Sequence, residues 1–305
     1  MIPDVARAAG FDPVPRPRQC RRRQPRRQLE IDECAVGQPA ARLERGRGAR
    51  REVAVERRVE EDEVEGARRT REEAQCIRLD HLRLLAAEGY SVAGIDYSLA
   101  PGATYPTPVT QTNAALSYLV AHAADYGYDA GRLALAGDSA GAQIAAQTAL
   151  TLTDPAYAGR TGLAAGATPD RLKGILLFCG GLDAAHLSLD GPFGGFLSTV
   201  LWSYFGHRDV LNDPRLADFS IPQSLHTGFP PLFITVGNAD PLAAQSYAVA
   251  QRASELGLTT ETLFFPEDYV PPLEHEYQFD LDSEAGQEAF RRATLFLDRI
   301  FAAPP

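Results

Sequence analysis

The chain has 305 residues, enough for one large domain or two small ones, and 45% of them are apolar with a formal charge of −10, the balance of an acidic globular protein. The charge is unevenly spread: residues 1–80 carry +3 and hold 19 of the 29 arginines, whereas residues 81–305 carry −13, which argues against a nucleic-acid partner for the second part. No stretch reaches the roughly 18 consecutive apolar residues of a membrane span, and the N-terminus lacks the apolar core of a signal peptide, so a cytoplasmic location is expected.

Residues 1–80 contain one aromatic residue, Phe11, too few to anchor a core. An arginine run, RPRQCRRRQPRRQ, is followed by REVAVERRVEEDEVEGARRTREEAQ, whose mixed charges suit a solvated helix held by i,i+4 pairs. The segment reads as poorly structured. A wrong-frame translation or a misassigned start, joined to the authentic chain near Leu82, is expected; the rival is a genuine arginine-rich arm for nucleic acid or a membrane surface.

From residue 82 short apolar runs alternate with helical patterns, the rhythm of βαβ units around a mostly parallel sheet. The spacing predicts strands at 90–97, 132–137, 172–180, 231–237 and 260–265. Helices are predicted at 82–89, 109–127, directly after Ser139, at 241–257 and at 284–301. Residues 184–229 break the rhythm and read as an insertion above the sheet. Its aromatic residues, Phe193, Phe196, Trp202, Tyr204 and Phe205, either line an acyl pocket or pack a helix onto the sheet.

Three of the four cysteines, Cys20, Cys34 and Cys76, lie in the first segment and no C-x-x-C is present, so neither a disulfide framework nor a zinc site is expected. Cys179 reads as a buried small hydrophobe.

Within the patterned part, Gly137-Asp138-Ser139-Ala140-Gly141 follows the apolar strand RLALAG and opens an Ala-rich helix. That is the setting of a nucleophile elbow, where small residues permit a sharp turn that exposes a serine hydroxyl. The Ala140 N–H, at the start of that helix, would face a developing oxyanion. A serine needs a base and an orienting carboxylate, following it in the order acid then histidine. Of the six histidines only His275, in PPLEHEYQF, lies beyond both late strands; its alternative is a loop residue without a role. Asp240 follows the strand at 231–237 and equally suits a cap for the next helix, while Asp183 is the rival acid. Asp138 is expected to order the elbow, and Tyr97 and Pro101 to shape the segment after the strand at 90–97.

Four motifs in this order, DYSLAPGATYPTP at 96–108, LAGDSAG at 135–141, NADPL at 238–242 and HEYQF at 275–279, resemble those of the hormone-sensitive-lipase-like esterases. The resemblance implies an α/β-hydrolase domain over 81–305 with a cap insertion at 184–229. It also implies hydrolysis of short or medium acyl esters with Ser139 as nucleophile, Asp240 as acid and His275 as base, without cofactor or metal. An amidase or peptidase on the same three residues, or a non-catalytic ligand-binding protein, remains open. The chain departs from the family in having no His-Gly-Gly, the loop that supplies half of the oxyanion hole. The family's strand before that loop lies between those read at 90–97 and 132–137, so a gap in the sheet is expected there.

Overall fold

The computed structural model describes residues 80–302 together with the backbone of two earlier strands, 41–45 and 51–57. Seven strands form one sheet: β1 (Ala41–Arg45), β2 (Arg51–Arg57), β3 (Tyr90–Asp96), β4 (Leu133–Asp138), β5 (Leu172–Phe178), β6 (Leu232–Val236) and β7 (Thr260–Phe264). Their spatial order is β1-β3-β2-β4-β5-β6-β7; β1 runs antiparallel to β3 and every other pair is parallel.

The slot expected to be vacant is held by β2, which pairs with β3 along its whole length and with β4 through Ala54–Glu56. Residues 51–57 are thus strand rather than solvated helix. Local charge pairing would support a helix by only a few tenths of a kcal/mol, and here sheet pairing on both edges prevails. The remaining readings of residues 1–80, the arginine run among them, lie outside the described residues.

The five strands predicted beyond residue 82 are all present within two residues of the expected ends. The long helices are α1 (Thr107–Ala121), α2 (Ala140–Thr153), α3 (Gly191–Phe205), α4 (Ala243–Glu255) and α5 (Glu284–Ala302), with a further helical stretch at 80–87. The helix expected over 109–127 breaks at His122, beyond which Ala123–Tyr126 form a single separate turn.

Alternation along the strands divides the core into two layers. Leu135, Ile175, Leu177 and Ile234 pack with Val109, Leu116, Ile144 and Leu150 of α1 and α2. Ala134, Ala136, Leu176 and Phe233 face the other way, onto Leu82 and Leu85 and onto Phe296 and Leu297 of α5. β4 and β6 are buried throughout, as parallel strands covered on both faces must be, whereas β7 at the edge is half-buried. α5 buries Ala285, Ala289, Ala293, Phe296, Leu297 and Phe301, one stripe at three- and four-residue intervals.

The insertion forms a small cap. α3 and the turns at Arg215–Phe219 and Ile221–Ser224 enclose a core of their own built on Leu201, Phe205, Val210, Leu216 and Phe219, with Tyr105 stacked on Phe205 at 5.1 Å. Asp213 braces its corner, accepting from Arg215 at 2.6 Å and meeting His207 Nε2 at 2.6 Å; those Arg215 bonds, foremost, hold its carboxyl well below the usual range. No helix among the described residues is long and apolar enough to cross a membrane.

His81 is buried edge-on among Phe178, Phe279 and Phe290, and Nδ1 has no hydrogen-bond partner among the described residues. Burial lowers its pKa from 6.5 to about 4. On acidification the unfolded chain takes up this proton first, so the contribution is complete above the unfolded pKa and is lost as pH falls from there towards the folded one. Between about pH 7 and pH 4 the protein is expected to lose about 3 kcal/mol more stability than a His81→Leu variant, measured by urea unfolding at both pH values.

Candidate active site

The site stands at the carboxyl ends of β4, β5 and β6. Ser139 leaves β4 with φ 53° and ψ −119°, a backbone state that non-glycine residues rarely adopt, and its N–H donates to Phe178 O at 2.9 Å. The turn closes so tightly that a Cβ on Gly137 would lie 2.2 Å from Gly141 O. Gly137→Ala is therefore expected to cost about 3 kcal/mol, read from urea unfolding, because backbone rather than a yielding side chain blocks the methyl group.

Ser139 Oγ lies 2.9 Å from His275 Nε2, and His275 Nδ1 lies 2.9 Å from Asp240 Oδ2. The Asp240 side chain is fully buried and that of His275 is 21% exposed. The three residues named from the sequence thus converge. Asp240 also accepts from Leu242 N at Oδ1, 2.7 Å away, in the turn leading into α4; this is an Asx turn and not the helix cap read as its alternative role, since α4 starts at Ala243 with Leu242 at the cap position.

The rival acid is engaged elsewhere. Asp183 Oδ2 meets His186 Nδ1 at 2.6 Å, while Oδ1 accepts from Ser220 and from Ala185 N, tying the end of β5 to the cap.

Loop packing brings the acid and the base together. A Cβ on Gly237 would meet Leu273 O at 2.2 Å, so only glycine lets the end of β6 back onto the segment carrying His275. Asn238 fastens that contact: its amide donates to Tyr269 O and Glu267 O and accepts from Leu273 N. Sequence reading missed Asn238, although its place inside NADPL was a usable signal. Cys179 also escaped it as a site residue. It follows β5 at φ 50°, fully buried, with its thiol beside Asp240 and His275.

Cys179, Asp240 and His275 are the group among the described residues whose donor atoms come close enough for a metal, all within 4.8 Å. Nδ1 of His275 is nevertheless committed to Asp240, and burial, with the Asp240 charge second, pushes the thiol well above its usual pKa. A thiol that resists ionisation is a poor ligand.

Above Ser139 opens a cavity of about 390 Å³. Ala140, the first residue of α2, lies in its wall beside the serine; Tyr97, Leu99, Phe193, Phe196 and Tyr204 make it largely apolar. The cap aromatics fill the first expected role only in part, and none of the five packs among the strand residues of the sheet core. Phe193, Phe196 and Tyr204 line the cavity, Phe205 fills the cap core, and Trp202 stays 40% exposed beneath the Arg208 guanidinium at 4.1 Å.

A family model described as the alpha/beta hydrolase fold matches residues 80–269. The chain belongs to the α/β-hydrolase-fold family. An acetyl esterase of Salmonella paratyphi B is 30% identical over 219 residues, 69% of this chain and 64% of that protein; an acetyl esterase of Salmonella dublin is 47% identical over 74 residues, 24% and 23% of the two. The chain thus spans 64% of the length of the first of these relatives. Among solved structures, esterase B of Lactobacillus rhamnosis superposes with a TM-score of 0.67 at 19% identity, covering 85% of this chain and 80% of that one. Esterase LipW of Mycobacterium marinum gives 0.65 at 22% identity, covering 87% and 78%. These likenesses bear on the fold, and it is the α/β-hydrolase fold expected from the four motifs.

Proposed function

We propose that the protein is a carboxylic-ester hydrolase in which Ser139, His275 and Asp240 act as nucleophile, base and orienting acid. The observation that carries this reading is the unbroken line of contacts from Asp240 through His275 to Ser139, at 2.9 Å each, opening on an apolar cavity.

In the forward step Ser139 Oγ attacks the ester carbonyl while His275 Nε2 takes its proton. Asp240 holds the imidazole with Nδ1 protonated and stabilises the imidazolium. The Ala140 N–H donates to the oxyanion. Collapse of that intermediate expels the alcohol, which receives the proton from His275, leaving Ser139 acylated. Water then repeats the sequence with His275 as base, releasing the carboxylic acid and restoring the serine. A cavity of about 390 Å³ suits a small-molecule ester with a short or medium acyl group, in keeping with relatives named acetyl esterases.

The absence of His-Gly-Gly favours one rival, a non-catalytic binder on the same fold, because removing a single oxyanion donor costs about 10²- to 10³-fold in kcat. The aberrant composition of residues 1–80 offers an explanation of that absence: a frame error upstream of Leu82. Reading codons 1–85 in all frames for a strand followed by His-Gly-Gly tests it. Turnover of p-nitrophenyl acetate against p-nitroacetanilide separates esterase from amidase, and failure to cleave either while binding both would favour the binder.

A further inference from the structure

Three groups converge on the Asp240 carboxylate from different parts of the chain: Leu242 N, His275 Nδ1 and, within 4.8 Å, the thiol of Cys179. Cys179 takes φ 50° at the end of β5, and its N–H donates to Thr235 O of β6 at 2.9 Å, so the backbone aims the side chain inward between the two strands that carry the site. Its Sγ lies 3.2 Å from Gln278 Oε1, in the turn directly after His275 and Glu276. Gln278 is 1% exposed, and Nε2 has no partner among the described residues.

An orphaned buried N–H is rarer in folded proteins than an under-satisfied carbonyl, and an amide can exchange its two ends at almost no change in shape. Turning the Gln278 amide over gives Nε2 an acceptor in the sulfur and frees the S–H to point at Asp240. We propose that Cys179 is a positioning residue of the hydrolytic site: held by the Gln278 amide, its thiol donates to Asp240 and fixes the carboxylate against His275. Burial and the Asp240 charge keep the thiol protonated, the form in which it can donate. A serine at this position would retain a donor; an alanine would not.

This inference rests on the hydrolase reading and is tested with Cys179→Ala and Cys179→Ser in the full chain. Activity on p-nitrophenyl acetate is normalised to active sites titrated with a p-nitrophenyl phosphonate. Cys179→Ala is expected to lower kcat about tenfold with KM unchanged, the scale seen when a group supporting a site residue is removed. The acidic limb of its pH–kcat profile moves upward, because a carboxylate without the thiol donor stabilises the His275 imidazolium more. Cys179→Ser restores the limb to the wild-type position. A Cys179→Ala protein with wild-type kcat per titrated site and an unmoved limb overturns the inference, as does a serine variant that behaves like the alanine one. Should Cys179→Ala yield no folded protein, an acidic limb displaced in Cys179→Ser as far as in Gln278→Leu overturns it equally. A wild-type protein that titrates no serine fails the hydrolase reading itself, which distinguishes the two failures.

Discussion

Ser139→Ala is expected to lower kcat for p-nitrophenyl acetate by about 10⁶-fold, the scale reached when the nucleophile of a serine hydrolase is removed. The turn that presents Oγ is held by the close approach of Gly137 to Gly141, so alanine leaves a methyl group where the hydroxyl stood. Ser139 makes no side-chain capping bond to α2, so alanine removes chemistry without removing a helix cap. Thermal unfolding of the variant is therefore expected to match the wild type. A fall in kcat accompanied by loss of the folded protein would not count as this result.

Asp240→Asn is expected to lower kcat by about 10⁴-fold while Asp183→Asn changes it less than about tenfold. The asparagine amide would present N–H groups to His275 Nδ1, favouring the tautomer whose proton sits on Nε2. In that tautomer the ring cannot accept the Ser139 proton. Asp183 is bonded to His186 and Ser220, so its replacement loosens the junction between sheet and cap and shows as lower thermal stability. Steady-state kinetics on both variants checks the assignment, and an unaffected Asp240→Asn enzyme would refute it.

Much of this fold is written in local pattern. β4 and β6 read as strands because they are short apolar runs, and they are short apolar runs because both faces are covered by helices. α5 read clearly because one stripe of alanine, phenylalanine and leucine meets the sheet. β2 did not, since Arg51-Glu52 and Glu56-Arg57 bracket only three apolar residues where a central parallel strand ordinarily carries a continuous run. Its place is set by pairing with β3 and β4, which no local window contains.

The site divides in the same way. Ser139 was legible because its motif sits at a strand-to-helix junction, and His275 and Asp240 because chain order leaves few candidates after it. What joins them was not legible. Cys179 and Gln278 lie 99 residues apart, and Asn238 meets Leu273 across 35. Neither contact leaves a periodic trace, since each joins the end of one strand, β5 or β6, to the segment that follows β7.

Incubation of the full chain with a p-nitrophenyl phosphonate, followed by intact mass and peptide mapping, tests the proposed activity most directly. One phosphonyl group per chain on the peptide carrying Ser139, with release of p-nitrophenol and loss of ester turnover, is the result expected. A folded protein that takes up no phosphonyl group, or takes it up on a serine other than Ser139, would contradict the assignment.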